Sequence, residues 1–311
     1  MALSKKYKNF NSIVQKVISK SSTQRKKILD LIERQDITYF KRAEEFSSNF
    51  FRYIKKEKIT LSYAVDAYLK LCFDMFESQK FFFKYKKYPL SKEKDAYKKV
   101  YNNIKTMKSY MIGVAISQFL WSTHYAMFSF FIKNINLKKN LVKNYLEIGP
   151  GHGLFFLEAL KSLNKAKNFD IVDISKTSIK ITKTLINFLY KKESKINYYL
   201  KNISSFKPKI KYDFITFGEV LEHVNNPKAL LKKINAILSN NGYVYISTCV
   251  DCPSIDHVYH FKSIGEIEKM FKQTGFKIIK RQILPVENKN MKFIIKNKIT
   301  INYCALLKKN N

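Results

Sequence analysis

Residues 145–154 read Tyr-Leu-Glu-Ile-Gly-Pro-Gly-His-Gly-Leu, and this stretch decides the fold of the chain. It begins with a short run typical of a buried strand, and a helical pattern continues to Leu160. Three of the eight glycines of the 311-residue chain lie here, at positions 149, 151 and 153. A sharp turn from strand to helix needs residues without side chains, and the helix N-terminus offers free N–H groups to a ligand. The stretch therefore predicts a strand–turn–helix unit with a ligand-binding turn.

Short apolar runs alternate with helical segments through the rest of the C-terminal half. The predicted strands are 144–148, 168–173, 196–200, 213–217, 243–248, 276–284 and 299–307. Such alternation favours an α/β fold in which helices cover a mostly parallel sheet. We therefore predict a seven-stranded, mostly parallel sheet.

The N-terminal part of the chain has a helical pattern instead. Apolar residues recur there at intervals of three to four, and the first glycine is Gly113. The predicted helices are 8–34, 36–57, 60–84, 91–108 and 110–134. We predict two domains, a helical lid, substrate or oligomerisation domain at 1–140 and a ligand-binding catalytic domain at 141–311.

The glycine spacing distinguishes between two classes of ligand. A dinucleotide-binding turn has the pattern G-x-G-x-x-G, but Leu154 occupies the place of its third glycine. The run Glu147-x-Gly149-x-Gly151-x-Gly153 instead resembles motif I of the class I S-adenosylmethionine-dependent methyltransferases. Asp173 ends the second predicted strand, where an acidic side chain can accept hydrogen bonds from both ribose hydroxyls. The alternative role for Asp173 is a helix N-cap.

Later segments are similar to the same family. Residues 212–224 (Tyr-Asp-Phe-Ile-Thr-Phe-Gly-Glu-Val-Leu-Glu-His-Val) resemble motif IV of its small-molecule members, and the 256–261 segment follows in the family's order. The resemblance covers residues 143–307 and implies a Rossmann-like fold with S-adenosyl-L-methionine as cofactor. Asn202 departs from the commoner Asp at the adenine position. The implied cofactor-binding residues are Glu147, Gly149, Pro150, Gly151, His152, Gly153, Asp173, Ile174, Asn202, Ile203 and Glu219.

The resemblance also implies that some residues bind the methyl acceptor or remove a proton from it. A hydroxyl or amine acceptor loses a proton, and histidine is the usual base near neutral pH. The candidate catalytic residues are His257 and His260, with Asp256 as an orienting partner, and His223. Residues just before the first strand could contact the substrate, although such side chains are more often core. These are Tyr110, Gln118, His124 and Tyr125.

The net charge of +34 favours a nucleic-acid partner at first sight. Only five of the 58 basic residues are arginine, however, and the lysines are spread from Lys5 to Lys309, as in solvated helix faces. Residues 217–220 also lack the Asn/Asp-Pro-Pro-aromatic motif of amino-methylating nucleic-acid enzymes. We therefore predict O- or N-methylation of a small molecule, such as a sugar, a lipid precursor or another metabolite. The alternatives are a nucleic-acid methyltransferase and a non-catalytic cofactor-binding adaptor.

The four cysteines, at 72, 249, 252 and 304, come without a secretory signal, so we expect reduced thiols in a cytoplasmic protein. Cys249-x-x-Cys252 could begin a zinc site, but no second pair follows at ligand spacing, so no metal is predicted.

Residues 111–131 resemble a membrane span, yet they contain several polar side chains. We predict a buried helix there and no membrane span, and a homodimer is left open.

Overall fold

The structure, a computed structural model, describes residues 5–190 and 195–310. Its first helices are α1 (Lys8–Lys20), α2 (Ser22–Glu33), α3 (Ile37–Lys56), α4 (Leu61–Tyr85), α5 (Glu93–Ala96), α6 (Ile104–Leu120) and α7 (Ser122–Lys138). A π-helical turn, Tyr97–Tyr101, follows α5. The prediction of one helix over 8–34 was wrong, because Ser21 has an extended backbone and caps α2 by accepting from Gln24 N. The 110–134 prediction was also wrong, since α6 passes through residue 110 and ends at Leu120.

The predicted sheet is confirmed, with seven strands and a mostly parallel arrangement. The strands are β1 (Asn144–Ile148), β2 (Asn168–Asp173), β3 (Ile196–Leu200), β4 (Tyr212–Gly218), β5 (Leu238–Val250), β6 (Phe276–Pro285) and β7 (Ile301–Lys309). Their order is β3-β2-β1-β4-β5-β7-β6. The first five are parallel, and β7 runs antiparallel to both β5 and β6. The intervening helices are α8 (Leu154–Ser162), α9 (Lys176–Leu189), α10 (Pro227–Ile237), α11 (Ile264–Gln273) and α12 (Met291–Lys296).

Side chains of β1 alternate between the two faces of the sheet, as the period of a strand requires. Tyr145 contacts Phe156 of α8 and belongs to the same buried cluster as Phe131 of α7. Leu146 belongs to the opposite cluster, with Leu231 of α10. Helices therefore cover both faces of the sheet, which leaves the strand ends as the place for a ligand.

The chain divides into two compact units. The helical unit comprises the residues up to Phe73 together with Ser109–Tyr125, and the sheet unit comprises Asp74–Lys108 and the residues from Ala126 onward. This division does not coincide with the predicted boundary after residue 140, because 74–108 and 126–140 belong to the sheet unit. The functional division into 1–140 and 141–311 stays a prediction. Among the described residues, every helix is too short or too polar to span a bilayer.

Candidate functional site

The turn after β1 has a backbone that only glycine adopts readily. Gly149, Gly151 and Gly153 have φ angles of +65°, +55° and +79°, in the left-handed region. A Cβ on Gly153 would lie 3.1–3.2 Å from Thr182 of α9, including its backbone Cα. Thr182 also donates from its hydroxyl to the Gly151 carbonyl at 3.3 Å. The turn is thus packed directly against α9 and leaves no space for a side chain at position 153.

A Gly153→Ala substitution is expected to destabilise the protein by about 1–2 kcal/mol, because the alanine would be left-handed and crowded by Thr182. Gly265→Ala is the matched control, since Gly265 is exposed in the first turn of α11 and its Cβ would have 3.8 Å of clearance. Alanine there is expected to be neutral or to stabilise by up to about 1 kcal/mol. Urea unfolding measures both, and equal stability of the two variants would contradict the assignment of strain to the turn.

Asp173 lies at the end of β2, beside the glycine turn. One carboxylate oxygen accepts from Ser175 N at 2.7 Å, and the other accepts from the Ser178 hydroxyl. Ser178 Oγ also lies 3.5 Å from the Gly151 carbonyl oxygen, so it joins the carboxylate to the turn. Burial raises the pKa of Asp173 to about 6, although the two serine hydrogen bonds oppose this. A carboxylate offers about four lone-pair sites, and the bonds from Ser178, Ser175 and Ile174 leave one for a ligand.

Two further acidic residues of the predicted set lie at the ends of β1 and β4. Glu147 is buried, accepts from the Tyr145 hydroxyl at 2.7 Å, and has its pKa raised to about 8 by burial. Glu219 follows β4 with a φ of +50°, and its N–H donates to the Ser247 carbonyl at 3.0 Å. Burial, and then the charge of Glu222, raises the pKa of Glu219.

Glu219 Oε1 is buried and has no hydrogen-bond partner among residues 5–190 and 195–310. An unsatisfied buried carboxyl oxygen is costly, so native proteins seldom retain one without a use. This oxygen and the glycine turn together fit a ligand that approaches the backbone closely and brings its own hydrogen-bond donor.

The remaining predicted cofactor residues line the same strand ends. Ile174 is half-buried directly after β2, and Ile203 is buried in the turn after β3. Asn202 is exposed, and its side-chain oxygen accepts from Ser204 N at 2.8 Å, which caps that turn. His152 Nδ1 accepts from Leu154 N at 3.1 Å, and the Pro150 carbonyl accepts from Gly153 N at 2.8 Å. His152 and Pro150 thus stabilise the turn itself.

Tyr101 connects several of these strand ends, and sequence reasoning missed it. Its carbonyl accepts from the Ser175 hydroxyl at 3.0 Å, beyond β2. Its own hydroxyl lies 2.9 Å from His223 Nδ1 and 3.1 Å from Asp256 Oδ2, which follow β4 and β5. Tyr101 lies in a segment whose pattern predicted only a helix, so no local signal marked it.

His223 and Asp256 are brought together. His223 Nδ1 lies 3.6 Å from Asp256 Oδ2 and 3.1 Å from the Asp256 carbonyl oxygen. Burial lowers the pKa of His223, and the charge of Asp256 opposes that effect. The pKa of Asp256 is lowered although its burial acts the other way, because the charges of His223 and His257 favour its ionised form. The residue predicted to orient His257 or His260 therefore lies beside His223.

The other two predicted catalytic histidines have different partners. His257 Nδ1 lies 2.6 Å from the Cys252 carbonyl oxygen. Burial lowers the pKa of His257, but the contact with Cys252 and nearby carboxylates more than offset this and raise it to about 10. His260 Nε2 lies 2.6 Å from Asp251 Oδ1.

The four predicted substrate residues lie in the helical unit. His124 Nδ1 lies 2.9 Å from Ser117 Oγ, and burial lowers the pKa of His124 to about 4. Gln118 is buried, and its Oε1 has no hydrogen-bond partner within the described part of the chain. Tyr125 packs edge-on against a tyrosine of α3, and Tyr110 is half-buried. Their contact with a substrate stays a prediction.

Comparisons with known proteins agree with this architecture. A family model described as a methyltransferase domain matches residues 123–281, just over half of the chain. Malonyl-[acyl-carrier protein] O-methyltransferase 2 of Ilyobacter polytropus is 28% identical over 167 residues, covering 49% of this chain and 59% of that protein. Ubiquinone biosynthesis O-methyltransferase of Coxiella burnetii is 34% identical over 110 residues, covering 34% of this chain and 43% of that protein. The chain thus spans less than two thirds of the length of these relatives.

Among solved structures, the 1,6-didemethyltoxoflavin-N1-methyltransferase of Burkholderia thailandensis has the same fold. Its TM-score is 0.50 at 14% sequence identity, and the match covers 72% of this chain and 92% of that one. The family match includes β1 to β5 and every predicted cofactor residue. The chain therefore belongs to the methyltransferase-domain family, within the class I S-adenosylmethionine-dependent methyltransferases.

Proposed function

We propose that this protein transfers the methyl group of S-adenosylmethionine to a hydroxyl or amino group of a small molecule. The main support is the joining of Asp173 to the glycine turn through Ser178, at the ends of neighbouring parallel strands. Open α/β sheets bind their ligands at this edge, where the strand order reverses between β1 and β4. The two curated relatives are named as O-methyltransferases, which favours an oxygen acceptor.

The cofactor would lie along the ends of β1 to β4. The turn at 149–153 would contact its methionine part, with the unpartnered oxygen of Glu219 available to its ammonium group. Asp173 would accept hydrogen bonds from the ribose hydroxyls, and Ile174 and Ile203 would contact the faces of the adenine. When bound, the cofactor supplies a methyl group activated by a sulfonium. The protein's own contribution would be to position the two reactants in line.

The arrangement of His223 and Asp256 supports a role for His223 as the base that removes the acceptor's proton. His223 Nδ1 contacts the Tyr101 hydroxyl, the Asp256 carbonyl oxygen and the Asp256 carboxylate. These contacts fix the orientation of the imidazole ring. As an acceptor hydroxyl is methylated, His223 would take its proton, and the Asp256 carboxylate would stabilise the resulting imidazolium. His257 and His260 are the alternative bases within this proposal.

Cofactor affinity is expected to fall as the pH drops below about 6, the raised pKa of Asp173. Ribose hydroxyls donate to the ionised carboxylate, so protonation of Asp173 removes the acceptor and weakens binding, by up to about tenfold per pH unit. Calorimetric titration with S-adenosylmethionine between pH 5 and pH 8 measures the effect. Asp173→Asn should bind weakly with little pH dependence over this range, and an equal slope in both proteins would assign the titration to another group.

Transfer of an isotopically labelled methyl group tests the proposed reaction. The full chain is incubated with labelled S-adenosylmethionine and three acceptor pools, namely small-molecule cell extract, malonyl-loaded acyl carrier protein and total RNA. Label is expected in a low-molecular-mass product of the first pool. Label in RNA alone would contradict the proposal in favour of a nucleic-acid methyltransferase. Tight cofactor binding with no transfer to any pool would contradict it in favour of an adaptor.

A further inference from the structure

A cluster of metal-binding side chains lies beside the proposed acceptor site. Cys249 is near the end of β5, Cys252 and His257 lie in the following loop, and Glu222 lies in the turn after β4. All four are buried, with exposed fractions of 2%, 6%, 6% and 1%. The methyl transfer proposed above uses neither thiol, so the cluster needs a separate explanation.

The separations in the cluster suit a tetrahedral ion. One ligand atom each of Cys249, Cys252 and His257 lies within 4.8 Å of the others. His257 Nδ1 is 3.9 Å from Cys249 Sγ, and binding an ion through this atom requires it to give up its 2.6 Å contact with the Cys252 carbonyl oxygen. With Zn–S bonds of about 2.3 Å and Zn–N bonds of about 2.0 Å, tetrahedral ligands lie about 3.5–3.8 Å apart. Small side-chain adjustments would therefore bring all three atoms to one ion.

Glu222 provides the fourth ligand and an independent observation. One of its carboxyl oxygens accepts from the Thr248 hydroxyl at 2.7 Å. The other, Oε1, is buried and has no hydrogen-bond partner among the described residues. Ligand atoms of Glu222, His223 and His257 lie within 4.8 Å of one another, and so do those of Glu219, Glu222 and Cys249. A bound cation would satisfy this buried, unpartnered carboxyl oxygen, on a residue whose carboxylate lies near one of the thiols and the imidazole.

The loop that carries two of these ligands is held from several sides. Cys252 N donates to the Tyr88 hydroxyl at 2.8 Å, and the Thr300 hydroxyl donates to the Asp251 carbonyl at 2.9 Å. The Glu222 carbonyl accepts from the backbone of residues 258 and 259, both at 2.9 Å. These bonds tie the loop after β5 to the turn after β4, so the ligands are positioned before any ion binds.

We propose that Cys249, Cys252, His257 and Glu222 bind one zinc-class divalent ion. Two thiolates and an imidazole select a borderline-soft metal such as Zn²⁺ over Mg²⁺ or Ca²⁺, which prefer oxygen ligands. The ion would use His257 as a ligand, which would leave His223 as the histidine available to the acceptor. The proposal does not depend on methyl transfer.

Metal content of the full chain tests the proposal directly. Protein equilibrated with Zn²⁺ in reducing buffer and then desalted is expected to retain about one ion per chain by mass spectrometry. Replacement by Co²⁺ should give the visible bands of a tetrahedral site together with a thiolate charge-transfer band. Cys249→Ser and Cys252→Ser are each expected to lower the Zn²⁺ affinity at least about 100-fold in a competition with a chromophoric chelator.

Cys304→Ser is the matched control, because Cys304 is equally buried but lies in β7, with its thiol near Gln282. That variant should retain the ion. Glu222→Gln should weaken Zn²⁺ binding while the thiolate charge-transfer band of the Co²⁺ form persists, which separates loss of a ligand from loss of the fold. Folded wild-type protein that retains no ion, or retention that survives the Cys249→Ser/Cys252→Ser double change, would overturn the proposal. Cofactor binding is measured separately, so the two proposals can fail independently.

Discussion

Replacing His223 by glutamine is expected to lower turnover about 10²- to 10⁴-fold, the usual contribution of a positioned general base. Glutamine keeps a hydrogen-bonding side chain of similar length near Tyr101 and Asp256, but it cannot take up a proton. The affinity for S-adenosylmethionine should change little, because the cofactor's predicted ligands follow β1 to β4 and do not include His223. Initial rates on the acceptor found by label transfer, with calorimetric cofactor titration alongside, separate the two effects.

His260→Gln and His257→Gln complete this experiment. His260 lies beside Asp251, whereas His223 lies beside Asp256, so replacement of His260 should cost far less turnover. A larger loss in His260→Gln than in His223→Gln would move the role of base to His260. A larger loss in His257→Gln would do so for His257 only if that variant retained its metal ion, because His257 is also a proposed metal ligand. Tyr101→Phe keeps the ring and removes the hydroxyl that bridges His223 and Asp256, and should give an intermediate loss.

Asp173→Ala is expected to weaken binding of S-adenosylmethionine about tenfold to a hundredfold. Losing one charge-assisted hydrogen bond costs about 1.5–3 kcal/mol, and the range given corresponds to the loss of one such bond to the ribose. The titration is made by calorimetry at pH 7.5, where Asp173 is ionised.

Asp170→Asn is the matched control on the same strand. Asp170 accepts from Asn197 Nδ2 at 2.7 Å and from the Tyr212 hydroxyl, so its replacement should reduce stability without changing cofactor affinity. The N-cap of α9 is Ser175 and not Asp173, but Asp173 supports the start of this helix by accepting from Ser175 N and the Ser178 hydroxyl. If Asp173→Ala lowered the unfolding free energy but left the dissociation constant unchanged, this supporting role would replace the ribose-binding role.

The strands and the glycine turn were predictable because their signals are local. An apolar run of five or six residues bounded by turn residues favours a buried strand, and closely spaced glycines permit a left-handed turn that other residues seldom adopt. The same kind of reasoning failed for the helix boundaries at Ser21 and Leu120, because the apolar periodicity continues through both. It also could not place 74–108 with the sheet, since that depends on which surfaces pack together.

The candidate catalytic histidines show which features of the site could not be predicted from the sequence. All three candidates were visible in the sequence, but the partner of Asp256 depends on how the loops after β4 and β5 meet. Tyr101 was missed for the same reason, since it is 122 residues from His223 and 155 from Asp256 along the chain.

The sequence by itself determined the α/β sheet, the glycine turn and the identity of the acidic residue at the end of β2, because each follows from neighbouring residues. Only the tertiary structure decided that Asp256 lies beside His223, that Tyr101 bridges them, and that two cysteines and His257 lie together. Hydrogen bonds and ligand sets of this kind are made between side chains far apart in the chain. Their geometry is fixed by parallel strands that end at one edge of the sheet, which no local pattern records.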